Sequence, residues 1–492
     1  MVRNRRSVFA LATAVIALGC GLPAAASAQA VTEVLRDLIQ THPQILSKQK
    51  SVGSAVEGIG VARSGYYPSV TVTGDSGPEY VDSPTRRQTE GHRYYKGRET
   101  SGLTITQKIF DGFATDSGVE AAKYGRDMAA ADLRLTRQSV ILEGVLAYVD
   151  VLRQNRLIQL FRDSERKVLE QLNLEDERVQ KGAGMANDVL AAKQRLQRVM
   201  TDRISTEGDF LTAVAKYSQV FGHAPDLARM SDPPVPADLI PPEMEEVIRT
   251  AQAENPQLEQ VSKKIDKNAE LRNAAEAGYY PALDLIGKAN YENDKNATIG
   301  VRRDWSLLLT ATWELFSGFS TNAAVAAASY DHAAAMDDRF HASRKLTESA
   351  KIYWHQLETA RKKMALTEQE ANLAEELWEG QKKRREAGKA TAQDVLDDET
   401  KINDARVKYA RAYYEVIQHS YELLFAMGRL EVDNVDRLPP AGGPVSDAPQ
   451  SLSVPPLAAE PVVPTGAPEP MHDRVGRLLQ DSSQQQPNTW YR

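Results

Sequence analysis

Gly65-Tyr66-Tyr67-Pro68 occurs again as Gly278-Tyr279-Tyr280-Pro281, 213 residues further along the chain. Phe110-Asp111-Gly112-Phe113 likewise corresponds to Phe316-Ser317-Gly318-Phe319, at an offset of 206. The same two offsets relate further pairs in the same order: His42-Pro43-Gln44 and Asn255-Pro256-Gln257, Gly182 and Gly388, Asp188-Val189-Leu190 and Asp394-Val395-Leu396, and Gly222 and Gly428. Ordered self-similarity of this kind indicates an internal duplication. We therefore predict one unit at residues 29–224 and a second at 243–430, joined by a Pro-rich linker at 225–242.

Each unit is predicted to contain a helix, a strand pair, a very long helix, a turn and a return helix. The first helix is expected over residues 32–64. Period-two alternation then indicates strands with one apolar face, and it is clearest where Trp305, Leu307 and Leu309 alternate with polar residues. The polar segments 82–100 and 292–304 are predicted to be exposed loops between paired strands.

The long helices are predicted from proline-free tracts. No proline lies between Pro84 and Pro225 or between Pro281 and Pro439, and helical patterns run unbroken over residues 115–181 and 321–387. At 1.5 Å per residue each would be about 100 Å long. Heptad-like spacing indicates coiled-coil packing. The return helices should cover only half of each long helix, so we expect the helix before the strands to cover the rest.

Composition and motifs exclude several classes of function. The 492 residues include 67 acidic and 60 basic side chains, which does not provide the basic surface that nucleic acids require. A single cysteine, Cys20, excludes a disulfide framework and a thiolate zinc site. We find no zincin, nucleophile-elbow, phosphate-loop or dinucleotide motif. No catalytic residue, metal ligand or cofactor is predicted.

The first residues of the chain indicate export, and the last residues form a tail without periodicity. Arginines precede a short apolar run and a small-residue stretch ending at Ala28, so residues 1–28 are predicted to be a cleaved signal peptide. Lipidation at Cys20 is the alternative, because Leu18-Gly19-Cys20 partly resembles a lipobox. Residues 431–492 are rich in Pro, Ala and Ser and are predicted to be disordered.

Four strands per chain are too few to close a membrane barrel, for which eight is about the minimum. Open strand edges are not tolerated in lipid, so several chains would have to share one barrel. Three chains would supply twelve strands around a pore, and two would supply eight around a filled interior. A cavity wide enough for transport favours the trimer. A soluble β-sandwich closed by the aromatic residues remains the alternative.

As a set, these duplicated motifs resemble the TolC family of outer-membrane channel tunnels. The set consists of Asn/His-Pro-Gln, Gly-Tyr-Tyr-Pro, Phe-Asp/Ser-Gly-Phe and Gly followed by Asp-Val-Leu. The resemblance covers residues 31–430. It implies a mainly α protomer with four transmembrane β-strands, and a homotrimer with a twelve-stranded β-barrel in outer-membrane lipid and an α-helical barrel across the periplasm of a Gram-negative bacterium. It also implies a periplasmic adaptor protein and an inner-membrane ABC exporter or proton-driven pump as partners.

The same resemblance assigns candidate site residues at the helical hairpin tips. Gly182 with Asp188, and Gly388 with Asp394, match the family's adaptor-docking turns. Asp394 and Asp397 match its periplasmic constriction, where a trimer would place six carboxylates. Without the family, Asp188 and Asp394 are ordinary acidic residues at helix N-termini.

The gate departs from the family pattern. Where the family's best-known gate has a tyrosine and an arginine, this chain has Arg385 and Ala390, with Lys389 adjacent. We therefore expect the gate region to use Asp188, Arg385 and Lys389, with a salt bridge between Lys389 and Asp188 as the hypothesis.

The function implied is a passive exit duct, and its cargo is not determined by these motifs. Type I protein secretion is slightly favoured over drug efflux, because the uninterrupted repeat and the non-lipidated start look more like the secretion branch. The alternative class is a secreted coiled-coil scaffold or adhesion protein. That alternative leaves the aromatic-bordered amphipathic strands unexplained.

Overall fold

The computed structural model describes residues 31–84, 87–88, 94–182 and 184–436. The predicted signal peptide, Cys20 and most of the predicted tail lie outside these ranges. The elements of the first unit are α1 (Val31–Thr41), α2 (Pro43–Arg63), β1 (Ser69–Val81), β2 (Tyr94–Phe110), α3 (Ala114–Gln180) and α4 (Ala186–Phe221). Those of the second are α5 (Met244–Glu254), α6 (Pro256–Glu276), β3 (Ala282–Asn293), β4 (Val301–Thr312), α7 (Ser320–Glu386), α8 (Ala392–Met427) and a final α9 (Val432–Asp436).

The first predicted helix is in fact two helices, separated at His42. Pro43 is the first residue of α2, and His42 has an extended backbone with ψ of 123°. Proline has no N–H to donate and disfavours helical geometry in the residue before it. Pro256 separates α5 from α6 in the same way, after Asn255.

Two helical hairpins form most of the molecule. The long helices α3 and α7 contain 67 residues each, about 100 Å of helix, and they pack against α4 and α8 respectively. As predicted, α2 covers the remaining part of α3, and α6 packs against both α3 and α7. The hairpins meet where α3 contacts α8, which places α4 and α7 at the two outer edges.

The four strands form one antiparallel sheet in the order β1-β2-β3-β4. The strands extend further into the predicted loops than the polarity of those segments suggested. Residues 94–100 pair with β1, and residues 301–304 pair with β3. The prediction of loops over all of 82–100 and 292–304 was therefore wrong at these ends, because backbone pairing continues regardless of side-chain polarity.

The Pro-rich linker is packed against the helical core. The backbone carbonyl and N–H of Ser231 both hydrogen-bond the Tyr148 hydroxyl at 2.9 Å. The Tyr421 hydroxyl donates to the carbonyl oxygen of Pro234, also at 2.9 Å, and Tyr414 donates to Asp232 at 3.0 Å. Three tyrosines of the long and return helices thus hold the connection between the two units in place.

The described fold continues to Asp436, inside the segment predicted to be disordered. Leu430 and Val432 are buried, and α9 contacts α1, because these apolar side chains complete the core near the chain start. Among the helices of the described ranges, none has a stretch long and apolar enough to cross a membrane.

A buried carboxylate lies between the two hairpins. Glu399 of α8 is 5% exposed and accepts a hydrogen bond from Ser164 of α3 at 2.8 Å, while its second oxygen has no partner. Burial raises the pKa of Glu399, partly offset by Ser164 and by the charge of Arg195. The folded state therefore binds this proton more tightly than the unfolded chain does, so stability falls as pH rises above the ordinary glutamate value.

We predict that Glu399→Gln raises the thermal stability of the purified protein at pH 7. Glutamine keeps the oxygen that accepts from Ser164 and removes the charge that burial disfavours. The gain should vanish near pH 4, where the wild-type carboxyl is protonated. Thermal unfolding followed by circular dichroism at both pH values measures this, with exposed Glu379→Gln as the control. A destabilised Glu399→Gln at pH 7 would contradict it.

Candidate functional site

The part of one sheet face that is nearest the long helices is apolar across all four strands. The pairing register aligns Val72, Leu103, Ala289 and Trp305 in one row. The row beside it consists of Val70, Ile105, Gly287 and Leu307, and the next contains Gln107, Leu285 and Leu309. Since side chains alternate between faces, all these residues lie on the same side.

This apolar face is exposed in the protomer. Trp305 is 81% exposed and Leu309 is 67% exposed. Soluble monomers seldom expose contiguous apolar patches of this kind, which instead mark contact with a partner or a membrane. Gln107, the polar residue of these three rows, donates its amide to the carbonyl oxygens of Tyr66 and Lys108, so its N–H group is satisfied within the chain.

The opposite face is polar. Thr104, Lys288 and Ser306 form one of its rows, and Asn290 donates to Asp304 in the next, at 2.9 Å. A sheet that is apolar on one side and polar on the other, with both sides open, matches the wall of a water-filled membrane barrel.

Aromatic residues border the apolar face where the strands meet the long helices. Phe110 and Phe113 pack edge to face at 5.3 Å between ring centroids, and Phe316 and Phe319 repeat this at 5.4 Å. Trp313 donates its indole N–H to the carbonyl oxygen of Tyr279. Aromatic girdles of this kind occupy the interfacial level of membrane barrels.

The hairpin tips lie at the far ends of the long helices. Gly182 and Gly388 have φ of 74° and 71°, the left-handed geometry that the predicted turns require. Asp188 and Asp394 lie in the first turns of α4 and α8, and Asp397 is exposed one helical turn further along α8.

The two tips differ in how their return helices begin. Thr391 and Asp394 form a reciprocal capping box at the start of α8, and the hydrogen bonds from Thr391 lower the pKa of the Asp394 carboxyl. The corresponding residue in the first unit is Met185, whose side chain cannot cap α4. Asp394 therefore has a structural contact that Asp188 lacks, and its carboxylate remains charged.

Arg385 forms an ion pair that joins the two hairpins near the tip. Its guanidinium donates to both oxygens of Glu175 on α3, at 2.8 and 3.1 Å, and to the carbonyl oxygen of Ala390 at 3.1 Å. The Glu175 side chain is only 1% exposed and also accepts from Gln171 and Arg178. Both terminal nitrogens of Arg385 are thus engaged within one protomer, whereas its buried Nε has no partner in the described part of the chain.

The hypothetical salt bridge between Lys389 and Asp188 is not formed within the protomer, although both residues lie at the tips in the described ranges. Sequence reasoning missed Glu175 as the partner of Arg385. Glu175 lies in a run of charged residues, and its counterpart in the second unit is Gln381, so no pattern marked it. In the described part of the chain, no group of three or more His, Cys, Asp or Glu side chains is arranged to hold a metal.

Comparison with known proteins supports the interpretation of the sheet and hairpins. Residues 34–223 and 247–429 match the family described as Outer membrane efflux protein, and these ranges coincide with the two structural units. The chain belongs to the outer membrane efflux protein family. This confirms the resemblance to TolC-type channels and places the protein in the outer membrane of a Gram-negative bacterium.

Individual family members agree over most of their length. The chain is 24% identical over 422 residues to outer membrane protein TolC of Vibrio cholerae, covering 84% of this chain and 94% of that protein. It is 23% identical over 370 residues to the alkaline protease secretion protein AprF of Pseudomonas aeruginosa, covering 73% and 75%. The solved structure of outer membrane protein VceC from Vibrio cholerae aligns with a TM-score of 0.69 at 15% identity, covering 81% of this chain and 96% of that one. The mainly helical fold with a small antiparallel sheet is confirmed.

Proposed function

We propose that this efflux-family protein is a trimeric channel-tunnel, a passive exit duct across the periplasm and the outer membrane. The exposed apolar face of the four-stranded sheet is the observation that carries this proposal. Such a sheet has two open edges, β1 and β4, whose backbone groups must be paired in lipid. Three copies pairing β4 of one with β1 of the next would close a twelve-stranded barrel with the polar face inside.

The helical hairpins support the same assembly. At one edge of the protomer, Leu190, Ile204 and Leu211 of α4 are exposed at heptad spacing, and at the other edge Ile352, Leu366 and Leu373 of α7 show the same spacing. A heptad stripe needs a partner helix. In a closed ring of three chains, α4 of one protomer would meet α7 of its neighbour and continue the barrel as a tunnel.

The tips are proposed to contact the protein partners. The turns around Gly182 with Asp188 and Gly388 with Asp394 would dock a periplasmic adaptor that links the channel to an inner-membrane ABC exporter or proton-driven pump. These partners would supply the energy for export, since the duct itself is a passive channel.

The tip is also proposed to contain the constriction and the gate. Asp394 and Asp397 from three copies would place six carboxylates around one opening, which attracts cations at close range. Arg385 would hold the gate closed through Glu175, with Asp188 and Lys389 nearby at the tips and available to neighbouring protomers.

We predict that Asp394→Asn with Asp397→Asn abolishes cation selectivity and divalent-cation block. Asparagine retains an oxygen that can accept from Thr391, so the helix start is preserved while the charge is removed. Reversal potentials of single channels in planar bilayers under a salt gradient measure the change. Asp404→Asn, further along the same helix, serves as the control. A channel of unchanged selectivity would remove both aspartates from the constriction, and wild-type protein that conducts nothing would overturn the duct itself.

Polypeptides are the proposed cargo, with small-molecule efflux as the second possibility. Among the relatives, AprF is described as an alkaline protease secretion protein, whereas the family is described by efflux. Affinity purification of the full chain from its native membrane tests this. A peptide-exporting ABC protein as the copurifying partner supports secretion, and a proton-driven pump supports efflux. Release of a soluble monomer by osmotic shock would instead indicate the scaffold or adhesion protein.

A further inference from the structure

The turn between β3 and β4 folds back over the sheet. The backbone N–H of Asn296 donates to the carboxylate of Glu79 on β1 at 2.8 Å, although β2 lies between β1 and β3. Neighbouring strands are nearly 5 Å apart, so this contact requires the turn to lie across β2. Residues 294–300 are therefore bound to the sheet and do not simply extend beyond its end.

The turn covers the polar face of the sheet. Tyr94 and Tyr95 are consecutive in β2 and so point to opposite faces. Tyr94 is 3% exposed and donates its hydroxyl to the carbonyl oxygen of Asp294 at 2.5 Å, whereas Tyr95 is 71% exposed. In the strand register, Tyr94 and Glu79 share the face of Thr100 and Lys288, which is the side that faces the lumen in the proposed barrel.

The turn is also closed on itself. Asp294 and Gly300 are joined by a backbone hydrogen bond of 3.1 Å, and the Asp294 carboxylate accepts from the N–H of Gly300 at 2.7 Å. Lys96 of β2 lies 3.8 Å from the same carboxylate. Contacts with both β1 and β2 hold this compact turn over the inner wall.

We propose that residues 294–300 form an inward-folded strap at the extracellular mouth, and that three straps in a trimer set the size of solute that can pass the exit. This inference rests on the proposed channel function. It assigns Glu79 and Tyr94 as positioning residues, since they hold the strap and do not themselves have to contact the solute.

A unique cysteine tests where the strap lies. The only cysteine of the chain, Cys20, falls in the predicted signal peptide, so Asn296→Cys introduces a single thiol into the mature chain. Single-channel current should fall in up to three steps when a bulky thiol-reactive reagent is added on the extracellular side. The matched control is Glu99→Cys, on the outward face of β2, whose labelling should leave the current unchanged. An unchanged current after verified labelling of Asn296→Cys would overturn the strap.

Release of the strap gives the second test. Glu79→Ala with Tyr94→Phe removes the acceptor for the Asn296 N–H and the donor to the Asp294 carbonyl oxygen. A larger polyethylene glycol than in the wild type should then be able to enter the pore and lower its conductance. Trimer migration on gels confirms assembly of the variant. An unchanged polymer limit would overturn the role of Glu79 and Tyr94. If the channel proposal itself is wrong, the wild-type protein will show no conductance. If only the strap is wrong, the wild-type protein will conduct and the two strap tests will show no effect.

Discussion

Leu309→Arg is expected to abolish assembly in the outer membrane, whereas Leu308→Arg in the same strand is expected to be tolerated. Leu309 lies on the exposed apolar face, midway along the chain between Trp305 and Trp313. The eight-residue separation of the two tryptophans is about 26 Å along an extended chain, or about 20 Å along the membrane normal at a strand tilt of about 40°. This distance fits within the roughly 25 Å height of the apolar band of outer-membrane barrels. Leu309 is thus expected near the middle of the bilayer.

The physical reason for the difference is the face on which each leucine lies. Arginine at the lipid midplane costs about 2–4 kcal/mol per chain, and a trimer incurs this cost three times. Leu308 pairs with Ile286 on the polar face, where an added arginine would be solvated in the lumen. Outer-membrane fractionation with heat-modifiable gel migration of the trimer measures the outcome. Equal loss of trimer in both variants would contradict the assignment of the two faces.

Arg385→Gln is expected to produce a channel with a more open tip. The variant removes the cation that joins α3 to the end of α7, and Glu175 is left buried with only Gln171 and Arg178 as partners. Removing one partner of a buried ion pair costs about 3–5 kcal/mol when the other charge is left uncompensated, and the loss here should be smaller because Arg178 still pairs with Glu175 at 3.1 Å. That free energy would be lost from the closed arrangement, so single-channel conductance and the open fraction should both rise.

A double-mutant cycle separates this pair from a general loosening of the tip. Glu175→Gln alone should have an effect similar to that of Arg385→Gln, and the double variant should open the channel no further than either single variant. Arg384→Gln is the matched control, because Arg384 donates to Gln381 of its own helix. If the two single effects simply added, Arg385 and Glu175 would be acting independently and the proposed gate would be wrong.

Periodic patterns allowed much of the fold to be predicted. The long helices were expected at residues 115–181 and 321–387, and they occur at Ala114–Gln180 and Ser320–Glu386, because proline-free helical periodicity and flanking glycines are local signals. Pro43 breaks the first predicted helix, and β2 begins at Tyr94 within a predicted loop. Pro43 is itself a local signal for the break in the first helix. At β2, hydrogen-bond pairing with another strand outweighed the polarity of the local sequence.

Residue spacing along the chain is enough to specify the duplication, the order of elements and the presence of one apolar face on each well-patterned strand. That the apolar faces of the four strands coincide and are exposed follows from the folded chain, because strand register depends on hydrogen bonds between residues far apart in sequence. The contacts of Arg385 with Glu175 and of Asn296 with Glu79 are of the same kind. Each joins residues about 210 or more positions apart, and no local pattern of charge or hydrophobicity specifies such a pair.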